Sequence, residues 1–219
     1  TWIEILKKIS SKQMPVILAT GAATLKEVKE AVNTILRINK KLIVMQCNTN
    51  YTNSKENFKF INLNVLKSYK RIFGDKIILG LSDHTPGNTT VLGAVALGAR
   101  VIEKHFTDDN NRNGPDHAFS MNFTTWKKMV DQTRILESSL GDGVKKIEKN
   151  ELESSQVQKR GIYATRDIKK NDSFKGKITV LRPAIKNYLP ANKFAWLSNK
   201  KAKKNIKKFE CINLKKVNI

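Results

Sequence analysis

Short, unbroken apolar runs alternate, through residue 141, with longer segments whose apolar positions recur every three or four residues. The first pair is PVILAT (15–20) and ATLKEVKEAVNTILRIN (23–39). In the second of these, Leu25, Val28, Ala31, Val32, Ile35 and Leu36 share one helical face. Thr24, with Glu27 three residues on, predicts a capping box at the start of that helix. LIVMQCN (42–48) precedes a predicted helix over FKFINLNVLKSYKRIF (58–73). IILGLS (77–82) precedes TTVLGAVALGA (89–99), and RVIEKHF (100–106) precedes FTTWKKMVDQTRILESSLG (123–141). Four strand–helix units predict a parallel sheet, because parallel neighbours need a long crossover.

Uninterrupted apolar strands call for cover on both faces, which a (β/α)8 barrel or a doubly wound sheet supplies. Four units are half of a barrel. The opening TWIEILKKISSKQM reads as a helix with Trp2, Ile5, Leu6 and Ile9 on one amphipathic flank. A helix already under way at the first residues carries the expectation that a strand, and an N-terminal portion with it, lies outside this sequence. Beyond residue 143 the pattern changes. Residues 144–156 are charged and aperiodic, a linker by composition. Residues 157–219 hold short β-like runs, RGIYAT (160–165) and KITVLRP (177–183), predicting a small β-rich domain. An echo runs through it: RDIKKND (166–172) and KNIKKFE (204–210) share an Ile-Lys-Lys core.

Composition narrows the class. With 40% hydrophobic residues and nine Phe among 219 residues, the chain can bury a core. No uncharged apolar run reaches the roughly 18 residues that cross a bilayer, and residues 14–25 suit neither a span nor a signal peptide. The expectation is a cytoplasmic protein without a membrane partner. Cys47 and Cys211 have no metal-type spacing and suggest no disulfide framework. The net charge of +22 is uneven: residues 145–219 hold 21 Lys and Arg against 6 Asp and Glu, a net of +15, leaving +7 for residues 1–144. Few aromatics interleave these lysines, as a nucleic-acid stacking platform would require, so a solvated lysine-rich surface is the reading taken.

Chemistry concentrates where strands end, since parallel α/β folds build their sites there. GLSDHT (80–85) and GARVIEKH (98–105) place His84 and His105 at the ends of consecutive strands, where they would converge on one divalent ion. The alternative is that each histidine only bonds a loop. Asp116, in NGPDHAFSM (113–121), either offers its carboxylate to the same face or caps its own turn. His117 beside it reads as a surface residue. Ser82 is positioned to donate to a phosphate or carboxylate, and Asp83 to accept from a ligand imidazole. Tyr51, after the second strand, would contact a sugar or merely pack. Arg182, between an apolar strand and a proline, would bind substrate or sit in an exposed ion pair.

The segments ILATGAATLKEV, GLSDHTPG, ALGARVIEKHFTDD, GPDHAFSM, SSLGDG and RGIYATRDIKK…LRP, in this order, resemble the sialic acid synthases, among them N-acetylneuraminate, legionaminate and pseudaminate synthases. The resemblance runs from near residue 10 to about residue 183. It implies the C-terminal half of a TIM barrel (residues 1–143), a linker (144–156) and an antifreeze-like β-clip domain (157–219). The implied activity is a carbon–carbon bond-forming transferase. It joins phosphoenolpyruvate to an N-acetylated amino sugar, N-acetylmannosamine or a diamino analogue, giving a nine-carbon 2-keto acid and phosphate. His84 and His105 would hold Mn2+, Ser82 would touch phosphoenolpyruvate, and Tyr51 and Asp116 would lie on the sugar side. Arg182 would reach the partner subunit's site in a domain-swapped homodimer. Essential lysines and a glutamate are implied upstream of residue 1, so the 219 residues alone would be inactive. Ala19, Gln46-Cys47, Thr49 and Phe209 depart from the family pattern and bear on sugar choice more than on reaction class. A second reading, from charge alone, is a polyanion- or carbohydrate-binding module built on the lysine-rich tail.

Overall fold

Each apolar run becomes a strand and each periodic segment a helix, in alternation. The computed structural model describes residues 1–51, 54–185 and 187–218, and the chain divides into two compact units, Thr1–Gly143 and Val144–Ile219. In the first unit the elements are α1 (Ile3–Ser10), β1 (Val16–Ala19), α2 (Leu25–Ile38), β2 (Leu42–Cys47), α3 (Val65–Phe73), β3 (Ile78–Asp83), α4 (Thr89–Ala96), β4 (Val101–Lys104) and α5 (Phe123–Ser139). The strands form one parallel sheet in sequence order, β1-β2-β3-β4. The predicted capping box is present: Glu27 N–H donates to Thr24 Oγ1 while the Glu27 carboxylate accepts from Thr24 N–H.

Side chains alternate across a strand, so the register sorts the sheet into two faces. Val16, Leu42, Val44, Leu79 and Leu81 point toward the helices and share a core with Val32, Ile35, Leu66, Val91 and Met129. Ile17, Ile43 and Ile78 stand in register on the other face, where Ile17 is 58% and Ile78 48% exposed. Ile43 and Met45 on that face are buried, so the cover expected on both faces is present at β2 and lacking at Ile17 and Ile78. Four strands curl without closing, and the inner layers of a barrel are filled only when strands surround them.

Two helices differ from the pattern. The segment read as one helix over 58–73 is a 3-10 turn (Lys55–Phe60), a break, and then α3. Asn62 takes φ +49°, a left-handed conformation that Asn tolerates better than most residues and that interrupts a right-handed helix. In α1 the face turned inward carries Ile3, Leu6 and Ser10, while Trp2 and Ile9 are exposed. Ser10 can be buried because its hydroxyl donates to the Leu6 carbonyl at 2.6 Å.

The second unit contains α6 (Leu152–Gln158), β5 (Gly161–Ala164), β6 (Ile178–Leu181), α7 (Phe194–Ser198), β7 (Lys201–Ala202) and β8 (Val217–Asn218). Helix α6 lies largely within the charged stretch that composition marks as a linker. Strands β5 and β6 pair antiparallel, as do β7 and β8. Ile162, Ile168, Phe174, Leu197, Ile206 and Ile212 are fully buried in this unit's own core. The echoed segments meet there. Ile168 and Ile206 exchange both backbone hydrogen bonds at 2.8 Å. Around them the two segments match one for one. Lys169 N–H donates to the Asp172 carboxylate as Lys207 N–H does to Glu210, and Lys208 N–H to Asp167 as Lys170 N–H does to Asn205. Asn171 and Phe209 both adopt positive φ, +69° and +63°.

Candidate active site

His84 follows β3 by one residue and His105 follows β4 by one residue. Pairing of β3 with β4 sets Ser82 beside Glu103 and Asp83 beside Lys104, so the histidines one position further emerge side by side. Their ring centres lie 5.1 Å apart at an interplanar angle of 73°. His84 is buried, and its Nδ1 sits 2.7 Å from the carbonyl oxygen of Asn48. A carbonyl only accepts, so His84 donates from Nδ1 and keeps the Nε2 lone pair free. His105 Nδ1 is 3.5 Å from Asp116 Oδ2. The two imidazoles are brought together, and Asp116 joins them at its carboxylate rather than capping its own turn.

Tyr51 is half exposed and lays its ring 4.1 Å from that of His84 and 5.5 Å from that of His105. Ser82 is buried on the same side of the sheet and donates to Glu103 Oε2 at 2.6 Å. His117 bonds Thr107 Oγ1 at 2.7 Å and so belongs to the loop's own packing. Arg182 lies in the second unit, exposed just past β6, and makes no hydrogen bond or ion pair with the described residues.

Asp83 corrects the sequence reading. It touches neither imidazole. Its carboxylate turns to the helix side, where Oδ2 accepts from Lys104 Nζ at 2.6 Å and Thr90 Oγ1 at 2.6 Å. Alternation explains this: 82 and 84 face one side, so 83 faces the other. The group that orients His84 is the Asn48 carbonyl, and the carboxylate nearest the His105 ring is Asp116.

Three site residues escaped the sequence reading. Glu103 was legible, as a carboxylate two positions before His105 in the same strand and so on the same face. Cys47 stands in register with Ser82. Burial pushes its thiol above the usual range, and nearby Glu103 and Asp83 add to this while a hydrogen bond with Ser82 opposes it. The thiol is therefore held protonated, which disfavours a nucleophilic role. Phe119, 5.1 Å from the His105 ring, had no signal, since only the fold of the loop brings it back. Gln46, a departure from the family pattern, faces away and donates to the Ile61 carbonyl at 3.0 Å. Among the described residues no group of three or more His, Cys, Asp or Glu is arranged to hold an ion, so His84 and His105 stand as a pair.

A parallel sheet with polar side chains gathered past its strand ends is the arrangement in which α/β folds build their sites. The comparisons name the kind. The sequence pattern of the NeuB family matches residues 1–145, and the chain belongs to that family. It is 38% identical to the N,N'-diacetyllegionaminic acid synthase of Campylobacter jejuni, over 97% of this chain and 63% of that protein. It is 36% identical to the pseudaminic acid synthase of the same organism, over 92% of this chain and 57% of that protein. The crystal structure of the N-acetylneuraminic acid synthetase of Leptospira borgpetersenii in complex with citrate superposes with a TM-score of 0.62 at 29% identity, over 69% of this chain and 52% of that one. The curled parallel half-barrel is thus a family fold. The chain spans less than two thirds of the length of these relatives. None of these comparisons supports a polyanion-binding module. Among the described residues no helix is long and apolar enough to cross a membrane.

Proposed function

We propose that the chain supplies the second half of the barrel to a synthase that condenses phosphoenolpyruvate with an N-acetylated amino sugar, releasing phosphate. Similarity to legionaminic and pseudaminic acid synthases favours a diamino sugar as the acceptor. The observation that carries this reading is the convergence of His84 and His105 at one strand-end site. Two imidazoles binding one ion at about 2.1 Å, at a ligand angle of about 90–110°, would hold their ring centres roughly 4.6–5.3 Å apart. The observed 5.1 Å falls in that range. With two protein ligands, positions stay open for substrate oxygen or water. A divalent cation held there, Mn2+ by the resemblance, would supply Lewis-acid polarisation of the sugar aldehyde.

The chain's own residues take the remaining roles. The Asn48 carbonyl keeps the His84 Nε2 lone pair directed at the site. Asp116, 3.5 Å from His105 Nδ1, would border the mouth where a sugar enters. Tyr51 packs its ring beside both imidazoles, where it would contact the sugar. Ser82, now bonded to Glu103, would turn its hydroxyl to a phosphoenolpyruvate oxygen. The open face of these four strands presents no lysine or arginine in its register positions. The anionic substrate therefore needs counter-charges from elsewhere, and the 219 residues alone are expected to release no phosphate. For the second unit we propose an antifreeze-like domain whose exposed Arg182 reaches the site of a partner subunit.

The test is a chimera in which this chain replaces the matching part of the Campylobacter jejuni legionaminic acid synthase. It should release phosphate from phosphoenolpyruvate with the amino sugar, and His84→Ala or His105→Ala should abolish that release. A folded chimera that is inert, or one indifferent to both substitutions, overturns the proposal.

A further inference from the structure

The fold hides an ion pair directly behind the two histidines. Lys104 Nζ and Asp83 Oδ2 are 2.6 Å apart, with side chains 1% and 0% exposed. Asp83 immediately precedes His84, Lys104 immediately precedes His105, and the two form the last register pair between β3 and β4. Their hydrogen bonds enclose the turn that carries His84. Lys104 Nζ also donates to the Thr85 carbonyl at 2.6 Å. Asp83 accepts from Thr85 N–H at 3.2 Å, from Thr85 Oγ1 at 2.9 Å and from Thr90 Oγ1 at 2.6 Å. Lys104 thus grips the residue before His84 and the residue after it, from the strand that leads into His105.

Stability does not explain such a pair. Two charges this deep forfeit hydration, and well-packed apolar residues of similar volume serve as well or better. What the pair adds is direction. An apolar contact tolerates sliding along the strand, whereas two short charge-assisted bonds to Asp83 and Thr85 fix the β3 end against the β4 end. His84 and His105 are the next residues of these two strand ends and face the other side of the sheet, so their spacing follows the spacing of the ends that the lock joins.

We propose that Asp83 and Lys104 are positioning residues that hold the two imidazoles at the spacing a shared divalent cation needs. The inference rests on the reading of His84 and His105 as cation ligands, and its test separates the two. The 219-residue chain is titrated with Mn2+, bound and free ion being distinguished by electron paramagnetic resonance, and then with Co2+, whose visible spectrum reports ligand geometry. Wild-type chain should bind, and His84→Ala combined with His105→Ala should not. Absence of that difference overturns the ligand reading itself. Asp83→Leu combined with Lys104→Met keeps the volume and removes the lock. It should retain the thermal midpoint, weaken Mn2+ binding by about 10–100-fold, and alter the Co2+ spectrum. Unchanged affinity and spectrum in this folded variant overturn the positioning role and leave the ligand reading intact. Should that variant not fold, Thr85→Val with Thr90→Val strips hydroxyl donors from Asp83 while sparing both charges. A loss of roughly two- to tenfold is expected there, since both charges remain in place, and none overturns the proposal.

Discussion

The two units reach order by opposite means. Thr1–Gly143 is built from parallel strands that pair only across helices, and its core is a wall between the sheet and α2 to α5. One face of that sheet remains open and carries the histidines at its end. Val144–Ile219 has short antiparallel pairs and a closed core of about a dozen side chains, organised by two segments that repeat one another. The larger unit puts polar chemistry at its rim. The smaller one spends its polar groups on its own turns: Asp172 and Glu210 each accept from a backbone N–H three residues before, and each pairs with a lysine. A fold with an open face can host a site, whereas a domain this small needs nearly every polar group for its own closure.

The sharpest way to break this comparison is at Phe174, the largest fully buried side chain of the smaller core. Phe174→Ala should cost about 3–5 kcal/mol, by lost transfer energy and the cavity left behind. Hydrogen exchange should then lose protection at Ile162, Ile168 and Ile206 while β2 and β3 keep theirs. Equal loss in both units would erase the distinction.

A smaller effect, of opposite sign, is expected where the repeat is imperfect. Asn171 and Phe209 occupy equivalent left-handed positions, and the bulkier Phe209 is exposed with little packing to offset the strain. Phe209→Gly should raise stability by about 1 kcal/mol, read from denaturant midpoints. A fall instead would mean that the ring's contact with Lys208 outweighs the backbone cost.

The smallest effect is acid sensitivity. Asp172 and Glu210 are held below their ordinary carboxyl range, first by hydrogen bonds from Lys177 and Lys216, and Asp167 is lowered first by the backbone N–H of Lys208. A lowered folded-state value stabilises above the unfolded pKa, about 4, and that gain is lost as pH falls through the folded value. The smaller unit should therefore weaken progressively below pH 4, followed by circular dichroism. A pH-independent midpoint there would remove these turns from its account.

Much of this was legible along the chain. The strand–helix alternation, the Thr24–Glu27 cap and the placement of His84 and His105 at strand ends follow from unbroken apolar runs, a period of 3.6 and local hydrogen bonding, which are properties of neighbouring residues. The echo of RDIKKND in KNIKKFE announced a repeat. Registry was not legible. Alternation alone turns Asp83 away from His84, but that it meets Lys104 there is fixed by packing across 21 residues of chain. The exposure of Ile17 and Ile78 and the return of Phe119 to the His105 ring likewise depend on distant partners. Sequence by itself determined the elements and which side chains could do chemistry, because those choices are local. Only the tertiary structure decided which of them meet, because contact between strands is settled by burial of the whole face and not by any one residue.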